Sequence, residues 1–105
     1  MDLGLNGKIA IVTGSSDGIG RAAATAMAEE GAKVAIVART QVDLDAAAAD
    51  IKTETGNNDI LGIAADVTAE AQVQSMVDTV VGTWGGLDIL VNNAGTSSAG
   101  KFETV

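Results

Sequence analysis

Short apolar runs alternate with segments whose apolar residues recur at helical spacing, and this alternation limits the possible folds more than any other feature. Lys8-Ile9-Ala10-Ile11-Val12-Thr13 reads as a buried strand ending at Gly14. A helix is expected from about Gly18 to Glu30, with Ile19, Ala22, Ala23, Ala26 and Met27 on one face. Gly31 follows, where a left-handed cap favours glycine. Lys33 to Ala38 reads as the second strand. Thr40 and Asp43 then fit a capping box, opening a helix that carries Leu44, Ala47, Ala48 and Ile51. Thr55-Gly56-Asn57-Asn58 breaks that helix, and Asp59 to Ala65 reads as a third strand. Thr68 is expected to cap the next helix, whose stripe is Val73, Met76, Val77, Val80, Val81 and Trp84. Gly85-Gly86 turns the chain into a fourth strand, Leu87 to Asn92.

The order β-α-β-α-β-α-β implies an α/β fold with a parallel sheet and right-handed crossovers. The expected strand order is 3-2-1-4, with the first two helices on one face and the third on the other. At 105 residues the chain is read as a single domain, residues 1–105. Its apolar content is mostly Ala, Val, Ile and Leu, with Trp84 and Phe102 the only aromatic residues. Small and β-branched side chains suit helices lying close on a buried parallel sheet.

The formal net charge of −8 argues against nucleic acid and anionic membranes as partners, because both are polyanionic. There is no Cys, hence no disulfide, thiolate nucleophile or Cys metal site, and no His or Tyr. Candidate acids, bases and nucleophiles therefore shrink to Asp, Glu, Lys, Ser and Thr. The opening Met1-Asp2-Leu3-Gly4 lacks a basic region followed by an apolar run, and no stretch approaches a membrane span, so a cytoplasmic protein is the expectation.

Thr13-Gly14-Ser15-Ser16-Asp17-Gly18-Ile19-Gly20 lies between the first strand and its helix, with glycines spaced G-x3-G-x-G. Gly14 permits a tight turn off the strand, Gly18 lets backbone approach a bound pyrophosphate, and Gly20 lets the helix lie close to the sheet. The helix N-terminus offers N–H groups and a partial positive charge to phosphates. The bland reading is a connecting turn, but its place in the first βα turn of a βαβ unit favours the phosphate site.

Arg39 stands just past the second strand, where an acid would accept from a ribose 2′-hydroxyl and favour NAD. An Arg there can instead pair with a 2′-phosphate, favouring NADP; otherwise it is a solvated surface residue. Asp17 weighs against a phosphate site unless its charge points away. Asp66 follows the third strand and either accepts from an adenine amino group or complements a helix dipole. Asn92, Asn93, Ala94 and Gly95 close the fourth strand on the same rim, where the amides can tie strand ends together and Ala and Gly leave room for a flat ligand.

Taken in order, Thr13 to Gly20, Asp66-Val67 and Leu87-Asp-Ile-Leu-Val-Asn-Asn-Ala-Gly95 resemble the short-chain dehydrogenase/reductase family, classical type, across essentially the whole chain. The resemblance implies half of an NAD(P)-binding Rossmann domain. It assigns Gly14, Ser16, Gly18, Ile19 and Gly20 to the pyrophosphate, Arg39 to NADP preference, Asp66 and Val67 to adenine, and Asn93, Ala94 and Gly95 to the ribose side. It implies hydride transfer between NADP(H) and a carbonyl or alcohol. The family's catalytic groups, a helix Asn, a Ser and a Tyr-x-x-x-Lys pair, are expected beyond Val105, and a chain without Tyr cannot hold that pair. No catalytic or metal-binding residue is therefore assigned, and the chain alone is expected to be inactive.

Such a front half would leave the fourth strand as an open apolar edge beside a partly bare sheet face. A homo-oligomer formed through that edge or face is expected. The competing readings are a standalone nucleotide-binding module and a self-associating half-domain without catalysis.

Overall fold

A computed structural model describes residues 4–14 and 18–92. The elements run β1 (Ile9–Thr13), α1 (Gly18–Glu29), β2 (Lys33–Ala38), α2 (Gln41–Thr55), β3 (Ile60–Ala64), α3 (Glu70–Trp84) and β4 (Ile89–Val91). The strands form one sheet in the order β3-β2-β1-β4. All three pairings are parallel: Ile11 lies opposite Ala35 and Leu90, and Ile36 lies opposite Gly62. This is the α/β arrangement expected from the alternation, an open Rossmann-like sheet.

Strand period divides the core into two layers. Val12, Val34, Ile36 and Ile60 point to one face and pack with Ala24 and Ala28 of α1 and Leu44, Ala47, Ala48 and Ile51 of α2. Ile9, Ile11, Ala35 and Val37 point to the other face and meet Met76 and Val80 of α3, with Val73, Val77 and Trp84 partly buried beside them. Among the described residues, two helices thus cover one face and one helix the other.

Several local expectations need correction. The buried seam of α1 is Gly20, Ala24 and Ala28, while Ile19, Ala22 and Ala26 are exposed. A helix made almost entirely of small residues carries little bulk to choose its face, and close approach to the sheet selects the smallest stripe. Thr40 is the N-cap of α2 by position, but its hydroxyl makes no capping bond, so the capping box does not close. Its carbonyl instead accepts the Leu44 N–H at 3.1 Å. The N-cap of α3 is Ala69 rather than Thr68, because the Thr68 hydroxyl is engaged by Asp66. Val81, at the rim of the α3 stripe, is 42% exposed.

The amino ends of the strands are fastened by polar side chains. Asp88 Oδ2 accepts the Ile9 N–H at 2.9 Å, while the Asp88 N–H donates to the Ile9 carbonyl at 2.8 Å. The Asn57 amide donates to the carbonyls of Ala28 (3.0 Å) and Ala32 (2.8 Å), joining the α2–β3 connection to the end of α1. Gly31 ends α1 with φ +90°, and the Ala32 N–H returns to the Met27 carbonyl. That is the six-to-one bond of a Schellman cap.

Candidate dinucleotide-binding cleft

At the opposite, carboxyl ends of the strands, β2 and β3 end level at Ala38 and Ala64, one residue beyond the end of β1, and a cleft of about 240 Å³ opens there. Gly14 lines it from β1, Val37, Ala38 and Arg39 from β2, and Ala65, Val67 and Thr68 from the segment after β3. In open parallel sheets, ligands bind outside the carboxyl ends of the strands. The lining is small and apolar except at its rim, where Arg39 is the basic residue among those described. Complete small-molecule pockets typically measure about 300–1,000 Å³, so this space suits one flat end of a larger ligand.

Gly14, at the end of β1, borders the cleft. Gly14 and Gly18 both have φ +64°, a conformation that disfavours a Cβ, so the two glycines fit the turn for a backbone reason. Gly20 lies on the buried seam of α1 with Ala24 and Ala28, and Ile19 is 80% exposed on the first turn. Among the described residues, that turn carries no acidic side chain.

Asp66 is held rigidly at the far wall. Its Oδ1 accepts the Thr68 N–H at 2.9 Å and the Thr68 hydroxyl at 2.6 Å. The Asp66 N–H donates to Gln72 Oε1 at 2.7 Å, and its carbonyl accepts the Ala69 N–H at 3.0 Å. The two bonds from Thr68, with a smaller contribution from the Arg39 guanidinium, hold the Asp66 carboxyl below the usual carboxylate value. Arg39 Nη2 lies 3.6 Å from Asp66 Oδ1, outside hydrogen-bond reach, and the Arg39 side chain is 74% exposed. A second hollow of about 210 Å³ lies beyond this pair, lined by Arg39, Ala64, Ala65, Asp66 and Gln72.

The structure thus brings Gly14, Arg39, Asp66 and Val67 to one end of the sheet, with Gly18, Ile19 and Gly20 on the adjoining helix turn. Ser16, Asn93, Ala94 and Gly95 lie outside the described residues. Asn92 takes the strand-tying role: the buried Thr13 hydroxyl donates to Asn92 Oδ1 at 3.0 Å. Thr68 and Gln72 are the two residues that sequence reasoning missed. The Asp-x-Thr spacing of an Asx turn marks Thr68, whereas nothing local marks Gln72. Among the described residues there is no cluster of potential metal ligands, and no helix is long and apolar enough to cross a membrane.

The family model for short chain dehydrogenases matches residues 8–105. The chain belongs to the short-chain dehydrogenase family. It is 39% identical over 97 residues to human dehydrogenase/reductase SDR family member 13, covering 92% of this chain and 26% of that protein. It is 42% identical over 102 residues to D-threitol dehydrogenase of Mycolicibacterium smegmatis, covering 97% of this chain and 38% of the relative. Among solved structures, L-sorbose reductase from Gluconobacter frateurii, complexed with NADPH and L-sorbose, superposes with a TM-score of 0.85 at 46% identity. That match covers 100% of this chain and 38% of the reductase. A 3-ketoacyl-(acyl-carrier-protein) reductase from Brucella melitensis, complexed with NADH, superposes at 0.74 with 36% identity, covering 82% of this chain and 33% of that one. This short-chain dehydrogenase sequence therefore spans between about a quarter and two fifths of the curated relatives' length.

Proposed function

We propose that this chain is the adenosine-binding front, a single unit over residues 1–105, of an NADP(H)-preferring oxidoreductase that moves a hydride between nicotinamide and a carbonyl or alcohol. The observation that carries the cofactor preference is Arg39, a basic side chain on the rim of the cleft, at the strand end where an acid would favour NAD. Solved relatives complexed with NADPH and with NADH support a nicotinamide cofactor in general.

The donor set fits such a ligand. Gly14, Ser16, Gly18, Ile19 and Gly20 would face the pyrophosphate, with the first turn of α1 supplying N–H groups. Val67 would lie against adenine and Asp66 would accept from its amino group. Arg39 would pair with the 2′-phosphate, and Asn93, Ala94 and Gly95 would flank the ribose nearer the reacting end. The bound dinucleotide supplies the hydride chemistry; these residues bind and orient it. No Tyr is present to serve as proton donor, so the chain alone is inactive.

Titration calorimetry with NADP and NAD tests the reading. Tighter binding of NADP, lost in Arg39→Ala, supports it; equal affinities unchanged in Arg39→Ala refute it. Turnover of a carbonyl with NADPH by the purified chain would refute the inactivity.

A second reading rests on the sheet edge. Among the described residues β4 pairs only with β1, and its Leu90 and Val91 are only partly buried. Self-association through that edge, or through the face beside α3, is the corresponding proposal. A clean monomer at high micromolar concentration in analytical ultracentrifugation would refute it.

A further inference from the structure

The Arg39–Asp66 pair bears on how strongly the cleft discriminates between nucleotides. We propose that Asp66 is a specificity-determining residue that weakens 2′-phosphate recognition by Arg39. This inference rests on the reading of Arg39 as the 2′-phosphate partner.

Three features of the pair carry it. Asp66 Oδ1 is already occupied by the N–H and the hydroxyl of Thr68, at 2.9 and 2.6 Å. Arg39 approaches the same oxygen only to 3.6 Å, so the contact is a charge interaction without a hydrogen bond. The guanidinium therefore keeps its donor fork available to another anion. Second, the carboxylate is held beside Arg39, with Thr68 bonding its side chain and Gln72 and Ala69 its backbone. Third, Arg39 is the basic residue on the described cleft rim, so no second cation there offsets the carboxylate.

A phosphate held on the far side of the guanidinium would stand roughly 7 Å from the Asp66 carboxylate, and two anions at that range in a water-exposed site repel enough to lower affinity about three- to tenfold. A ligand with a 2′-hydroxyl carries no such charge. Asp66 thus narrows the gap between the two ligand classes, and Arg39 determines its sign.

The test compares adenosine 2′,5′-bisphosphate with adenosine 5′-monophosphate by calorimetry on the wild-type chain, Asp66→Asn and Arg39→Ala. Asn keeps the side-chain shape and an oxygen that can accept from Thr68. The expected result is a preference for the bisphosphate that rises about three- to tenfold in Asp66→Asn at low salt. That gain should shrink at 1 M salt, where exposed charges are screened and a structural effect would persist. A preference unchanged or reduced in Asp66→Asn, while Arg39→Ala still abolishes it, overturns this inference and leaves the reading of Arg39 standing. A wild-type chain with no preference, unaltered by Arg39→Ala, overturns both, as does failure of both probes to bind.

Discussion

Gly62 of β3 lies directly beneath Leu44 of α2: a Cβ at Gly62 would stand 3.2 Å from the Leu44 Cβ and 3.6 Å from its carbonyl oxygen. What restricts side-chain size at this position is proximity, not torsion angles. Gly62→Val is expected to destabilise the fold by about 1–3 kcal/mol through overpacking, measured by urea denaturation. Gly62→Ala should cost less, since Leu44 need yield only a few tenths of an ångström.

Asn57 presents a different vulnerability. Its amide satisfies two carbonyl oxygens at the end of α1 and the start of β2, and its own Oδ1 accepts the Asp59 N–H at 2.8 Å. Asn57→Ala leaves these partly buried groups short of partners and should cost about 1–3 kcal/mol in thermal or chemical unfolding. A change within a few tenths of a kcal/mol would show that water replaces the amide.

Thr13 ties the cleft ends of β1 and β4 together through Asn92. Thr13→Val keeps the side-chain shape but removes the donor, for a loss of about 0.5–1.5 kcal/mol. Amides of Leu90 and Val91 should then exchange with solvent faster than in the wild type, while those of β2 stay protected. Equal protection of β4 in both proteins would contradict the role given to this bond.

The Asp66 carboxyl titrates below its ordinary value, first because of the two bonds from Thr68. A depressed folded-state value means that its contribution to stability is present above the unfolded carboxylate pKa and lost as pH falls through the folded one. Thr68→Ala should raise the Asp66 midpoint in a carboxyl NMR titration and shift the loss of this contribution to higher pH. A midpoint unmoved by Thr68→Ala would rule out the hydroxyl as the main cause.

The fold was largely legible because its signals are periodic and redundant. Each strand is a short apolar run between turn residues, and the α3 stripe carries bulky side chains that mark their own face. The α1 face was not legible, because Ile19 is its bulkiest β-branched residue yet is exposed at the first turn. It stands on the helix's first turn, outside the buried seam of Gly20, Ala24 and Ala28. The rim was legible as Arg39 and Asp66 taken singly. Their proximity was not, since it depends on how β2 and β3 end in space. Thr68 misled for a related reason: a hydroxyl near a helix start suits a cap, and here a carboxylate two residues earlier competes for it.

The alanine seam of α1 has a consequence for sequence change. Among the described residues, eight of the twenty buried apolar ones are alanines, and Ala24 and Ala28 stand at 0% and 2% exposure. Such positions have almost no side chain left to remove, so the usual damage of large-to-small replacement hardly applies to them. Their tolerance is one-sided. Glycine there weakens the helix by about 1 kcal/mol, whereas each added methyl group must push a helix off a sheet. Drift along this seam is therefore confined to the smallest side chains, while the exposed Ala22 and Ala26 on the same helix are free to grow.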